Sequence, residues 1–287
     1  MTFQTNDPYT LGAWLTIGPV TRLKAASQVR PYRATLLGAE VLAWADGSGN
    51  PVATAGGRSL QVQSAYGYLW VCPGGEPSRP LFAFPEYAQA GRRIVDCDGI
   101  GVRVSAPRMV ENFLDMGHFP YVHASYLGEV PQTEVAPYEV SIDEVADEIW
   151  ATDCRFFQPR TSKSATTGME VKYRYRVMQP TSAILYKTAF PRPGEMDAIG
   201  LFVQPVGEES VIAYCLLAYF DDVTPQVDLI SFQHTIFGQD KPILENQRPS
   251  RMPLRPGTEI PTRCDAMSVA YRRWLLAKGL RYGVIVD

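Results

Sequence analysis

From residue 133 to residue 220 the chain is a near-continuous succession of strand-like segments, and this constrains its fold more than any other feature. The segments are 133–142, 148–157, 169–178, 182–190, 199–205 and 210–220, rich in Val, Ile, Tyr and Phe and separated by short gaps. A helical stretch follows at 226–247, with Val227, Ile230, His234, Phe237 and Leu244 at roughly helical spacing and Pro242 expected to kink or interrupt it. A shorter helix is expected at 106–114, with Pro107 in its first turn, and a closing helix at 265–278. Helix, antiparallel sheet, long helix and closing helix make an α+β domain in which helices pack on one face of a curved sheet.

Upstream, 20–73 reads as a small β module of short strands and turns, with Asp46-Gly-Ser-Gly-Asn-Pro51 as a turn cluster. Pro73-Gly-Gly-Glu-Pro-Ser-Arg-Pro80 breaks it, and a loop-rich passage runs to about 101. The expected division is therefore 1–95 and 96–287.

Composition removes several classes of function. A formal net charge of −3 over 287 residues, with acids and bases interspersed, offers no basic stripe for nucleic acid. No secretory signal is visible, and the longest apolar run, 211–220, is about half the ~20 residues a membrane helix needs. The expectation is a soluble cytoplasmic protein without nucleic-acid or membrane partners. Cys72, Cys97, Cys154, Cys215 and Cys264 are scattered and never in C-x-x-C pairs, which argues against disulfides and a thiolate zinc site.

The chemistry concentrates in Glu111-Asn-Phe-Leu-Asp115-Met-Gly-His118-Phe-Pro-Tyr-Val-His123, which holds two of the three histidines. At i,i+3, Asp115 and His118 are within reach of each other. Five residues is a poor helical interval, but Pro120 bends the chain at Phe119, so His123 swings back to the same point. Two converging imidazoles lack only a carboxylate to form the 2-His-1-carboxylate site of non-haem Fe(II) oxygenases. The long helix offers Asp240 and Glu245, and spacing does not choose between them.

Glu111-Asn-Phe-Leu-Asp115-x-x-His118-x-x-x-x-His123 resembles the iron motif of Rieske non-haem iron oxygenases, in the branch of vanillate and dicamba O-demethylases and methylxanthine N-demethylases. Gln239-Asp240-Lys-Pro-Ile-Leu-Glu245-Asn-Gln and Ala266-Met-Ser-Val-Ala-Tyr-Arg-Arg-Trp274 resemble its carboxylate stretch and closing helix. The resemblance implies a Rieske-like β module followed by a helix-grip catalytic domain. It makes His118, His123 and Asp240 the ligands of a mononuclear Fe(2+), and Asp115 the bridge through which electrons arrive. The implied reaction hydroxylates, with O2, an N-methyl or O-methyl group of a small aromatic or heteroaromatic substrate such as a methylxanthine.

One departure carries information. A Rieske [2Fe–2S] centre needs two Cys and two His, and no histidine precedes His118. The β module thus reads as a degenerate Rieske domain with no [2Fe–2S] cluster, similar to the cluster-less methylxanthine N-demethylase subunits. The electron donor is then a Rieske-containing reductase or a clustered oxygenase subunit, in a trimeric or hetero-oligomeric assembly. A non-catalytic docking subunit is the alternative reading, and a small-ligand binding module a third. Phe202, Gln204 and Tyr214 are expected to line the substrate pocket, with Tyr121, Tyr186 and Phe220 as further aromatic candidates. Asn112 and Glu245 are expected to orient the ligands.

Overall fold

The computed structural model describes residues 2–159 and 168–286. A short helix α1 (Pro8–Leu11) precedes a small sheet of β1 (Leu15–Pro19), β2 (Tyr32–Leu36), β3 (Ala39–Ala45), β4 (Pro51–Ala55), β5 (Arg58–Ala65) and β6 (Tyr68–Cys72). Strand order is β1-β6-β5-β4-β3-β2. Three of its hairpins turn on residue pairs with positive φ at both positions: Leu37-Gly38, Gly56-Gly57 and Tyr66-Gly67. That geometry matches the twist of the flanking strands and fixes register. At the fourth turn the Asp46 carboxylate accepts the Ser48 and Asn50 N–H groups at 2.8 and 2.9 Å.

The large sheet contains β7 (Arg93–Val102), β8 (Glu139–Asp143), β9 (Glu148–Gln158), β10 (Met169–Gln179), β11 (Ser182–Thr188), β12 (Met196–Gly207) and β13 (Ser210–Tyr219). Its order, β7-β13-β12-β11-β10-β9-β8, is antiparallel throughout. Helices α2 (Ala106–Leu114) and α3 (Phe119–Val122) lead away from β7, and α4 (Gln226–Asn246) and α5 (Ala266–Ala277) follow β13.

Three expectations change. β7 lies in the passage read as loop, because Asp96-Cys-Asp-Gly-Ile-Gly101 hides a strand behind turn-type residues. Gly99 is required there, since a Cβ would come within 2.4 Å of the Tyr214 ring. Of the first expected strand, 133–142, only 139–142 pairs in the sheet, as part of β8. And α4 runs on through Pro242 to Asn246.

β12 is buried on both faces, and alternation divides its side chains. Leu201 and Val203 join the core beneath the helices, with Met109, Val110 and Leu244. Phe202 points the other way, into a second core with Tyr68, Trp70 and Tyr214 that fastens the small sheet to the large one. Main-chain bonds from Leu37 and Gly38 to the Pro205 and Val206 carbonyls, at 2.8 and 2.7 Å, tie the two sheets further.

Candidate metal centre

Ser105 starts α2 by accepting the Arg108 N–H on its hydroxyl, and Pro107 occupies the first turn. Buried Met109, Val110 and Leu114 seat the helix on the sheet. Asp115 then leaves helical geometry (φ −86°, ψ 129°). Its carboxylate accepts the Gly117 N–H at 2.7 Å and the His118 Nδ1–H at 2.9 Å. The single turn α3 separates His118 from His123, and the two rings return to a centroid distance of 4.9 Å.

From α4, Asp240 reaches the same point. His118 Nε2 and His123 Nε2 are 3.1 Å apart, and Asp240 Oδ1 lies 3.4 Å from the first and 3.1 Å from the second. His123 Nδ1 faces Gln239 Oε1 at 3.0 Å. When neutral, each histidine donates its Nδ1–H outward, to Asp115 and to Gln239, and its Nε2 lone pair then turns toward the Asp240 carboxylate. Asp240 Oδ1 is buried and has no hydrogen-bond partner.

Three such acceptors repel one another unless a cation joins them. Donors held at right angles, each ~2.1 Å from one ion, lie about 3.0 Å apart, which is close to the observed triangle. The residues therefore fit a divalent metal with one face of its coordination sphere left open. The charge balance shows the same demand for a cation: burial pulls the His118 pKa down, but the Asp115 and Asp240 carboxylates outweigh this and push it up to about 9, so that either a proton or a metal ion is held between them. Burial opposes ionisation of Asp240, yet the two imidazoles hold it down to about 2. Asp115 likewise stays below the usual carboxylate range despite burial, through its bond to His118.

The remaining sequence candidates separate. Asn112 lines the cavity beside the triad. Glu245 turns away: it accepts the Arg103 N–H at 3.1 Å and faces Lys241 at 3.8 Å. Phe202, Gln204 and Tyr214 face the small module instead of the cavity. Phe202 packs on Trp70 with centroids 5.2 Å apart, Gln204 donates to the Thr35 carbonyl at 2.8 Å, and the Tyr214 hydroxyl donates to Gln204 at 2.9 Å. Tyr121 is exposed, Tyr186 stacks on Trp150, and Phe220 lies under the Arg92 guanidinium. His234 spends its Nε2–H on the Cys97 carbonyl at 2.7 Å.

The cavity over the triad has a volume of about 100 Å³, against the ~10–15 Å³ that one water needs. Phe119, Leu185, Ile199, Leu201 and Phe237 form apolar walls, and Lys187 and Tyr173 enter from the sheet. On the other side of His118, Asp115 borders a separate, wider groove with Arg108, Glu259 and Arg272. Gln239, Lys187 and Tyr173 were not singled out from sequence. Gln239 adjoins Asp240 in the motif, whereas Lys187 and Tyr173 are visible only once register places them at the cavity.

Fold and site define a class, the Rieske-type oxygenases with a 2-His-1-carboxylate site. Residues 102–279 match the vanillate O-demethylase oxygenase C-terminal domain. The chain belongs to this Rieske oxygenase family, as an oxygenase component. It is 46% identical over 268 residues, 92% of this chain and 94% of the relative, to a protein named probable methylxanthine N7-demethylase NdmC of Pseudomonas sp. (strain TJI-51). The fold is shared with the Pseudomonas putida CBB5 NdmA QL mutant solved with theobromine, at TM-score 0.75 and 18% identity over 93% of this chain and 90% of that one. Dicamba monooxygenase bound to dicamba matches at TM-score 0.70 and 15% identity over 94% and 97% of the two chains. Among the described residues no helix is long and apolar enough to cross a membrane.

Proposed function

We propose that the chain is the catalytic oxygenase component of an N-demethylase for methylxanthine-type heteroaromatics, supplied with electrons by a separate Rieske-bearing protein. The observation that carries this reading is the triangle of His118 Nε2, His123 Nε2 and Asp240 Oδ1 at 3.1–3.4 Å, open toward an apolar cavity. The 46% identity to a probable N7-demethylase supports the substrate class.

His118, His123 and Asp240 would hold iron(II), which when bound would supply the oxidising chemistry with O2 and external electrons. The chain's own residues supply placement. Asp115 and Gln239 fix both imidazole tautomers by accepting their Nδ1 protons. Phe119, Leu201 and Phe237 keep water from the cavity and give a flat ring an apolar seat. Asp115 also borders the outer groove, where a donor protein would come within one side chain of His118. The need for such a donor rests on composition: with no histidine before His118, this chain cannot complete a Rieske ligand set.

The test is a coupled assay of the iron-loaded chain with a Rieske-bearing reductase, across N-methylxanthines and methoxy-aromatics, scored by formaldehyde release. N-methylxanthine turnover is expected, and Asp115→Ala should retain iron while losing turnover coupled to substrate. No formaldehyde from any methylxanthine, or undiminished product from Asp115→Ala, contradicts the reading.

A further inference from the structure

We propose that Lys187 and Tyr173 form the polar anchor of the cavity and recognise the hydrogen-bond-accepting carbonyl edge of the bound ring; this rests on the functional reading above. The two residues are cross-strand partners, paired directly in the register of β10 and β11, and both side chains enter the cavity from the sheet.

Lys187 is 9% exposed, yet its ammonium donates no hydrogen bond and makes no ion pair with any described residue. What surrounds it is the Tyr219 ring, 5.2 Å away, with Asp197 and Asp221 attracting it only through space. Tyr173 is 2% exposed, and its hydroxyl is buried without a partner. Burial draws the Lys187 pKa below the ordinary lysine range, against those two carboxylates.

Buried donors without acceptors are costly, and folded proteins seldom keep them unless something else completes them. Here the buried phenol O–H of Tyr173 is such a donor, and the Lys187 ammonium, which keeps some accessible surface, brings three more N–H donors to the same small apolar cavity beside the metal triad. A ligand that completes them must present acceptors. A purine-dione ring does so through its two carbonyl oxygens, while its flat faces suit the surrounding Leu185, Leu201 and Phe237. The anchor would thereby select among flat aromatics by their acceptor edge and fix which rim of the ring turns toward the metal.

Calorimetric titration of the anaerobic, Fe(II)-loaded chain tests this without turnover. Theobromine carries both carbonyls, and 7-methylpurine is the same ring system without them. Lys187→Met should weaken theobromine binding about tenfold or more, Tyr173→Phe by a smaller factor, and Lys187→Gln, which keeps an N–H donor, should fall between Lys187→Met and the unaltered chain. 7-Methylpurine should bind the unaltered chain at least tenfold more weakly than theobromine and gain or hold affinity in Lys187→Met. Unchanged theobromine affinity in Lys187→Met, or an equal loss for both probes, overturns the anchor and leaves the functional reading standing. If the unaltered chain binds no theobromine, the functional reading fails and the anchor with it. Should Lys187→Met not fold, the ordering of Lys187→Gln and Tyr173→Phe on the two probes decides in the same way.

Discussion

At His123 the chain commits an otherwise versatile side chain to one role. Its ring is 1% exposed, and its Nδ1 is fixed on Gln239. Removing that acceptor frees the tautomer, so Gln239→Leu should lower iron affinity ~10–100-fold with the fold intact, as measured by metal titration. A second residue-scale prediction concerns acid stability. Arg108, fully buried in its side chain, bridges Glu111 at 3.1 Å and Glu259 at 2.5 Å, and Arg272 joins both acids at 2.5 Å. Burial alone would raise the Glu259 pKa, but its bonds to Arg108 and Arg272 hold it below the ordinary glutamate value of 4.5. A depressed acid contributes stability above its unfolded pKa and loses it as pH falls through the folded one. Glu259→Gln should therefore cost about 1–2 kcal/mol at pH 7 in denaturant unfolding, and its deficit against the unaltered chain should shrink below pH 4.5. A deficit that is constant with pH would refute the electrostatic assignment.

Among elements, β12 shows how much alternation reveals and where it stops. The strand was legible from its apolar run, but burial on both faces removes the polar side that would tell inward from outward. Phe202, Gln204 and Tyr214 were therefore expected at the cavity, although parity sends them to the small module and leaves Ile199, Leu201 and Cys215 on the cavity side. Phe202→Ala should accordingly destabilise the chain by ~3–5 kcal/mol in denaturant unfolding while leaving ligand affinity at the cavity within about twofold. A selective loss of ligand affinity with little loss of stability would place it at the site after all. β7 was illegible for a different reason. Its Asp98 takes positive φ, and Gly99 exists to admit the Tyr214 ring, so a local deformation of the strand imitates a loop in sequence. In α4 the helical pattern was readable, but Pro242 suggested a break. The proline costs one main-chain bond, toward the Gly238 carbonyl, and the helix continues.

For the molecule as a whole, legibility follows distance along the chain. Asp115, His118 and His123 lie within one short segment: the chain leaves helical geometry at Asp115, and Pro120, instead of bending it at Phe119, sits in the first turn of α3, whose single turn brings His123 back beside His118. Asp240 is supplied from α4 across the domain, so the residues alone left it level with Glu245 until the resemblance, and then the contact geometry, separated them. The cavity belongs to no single element: β10, β11, β12 and β13 give its floor, and α2, α3 and α4 close it. The small module meets the opposite face of the same sheet, so it braces the floor without entering the site. The central claim is that one iron is held by His118, His123 and Asp240, and iron stoichiometry after anaerobic Fe(II) loading and desalting measures it. The account predicts one iron per unaltered chain, one per Glu245→Ala chain, and almost none for folded His118→Ala or Asp240→Ala. Iron retained by Asp240→Ala, or an unaltered chain that holds no iron, would contradict it.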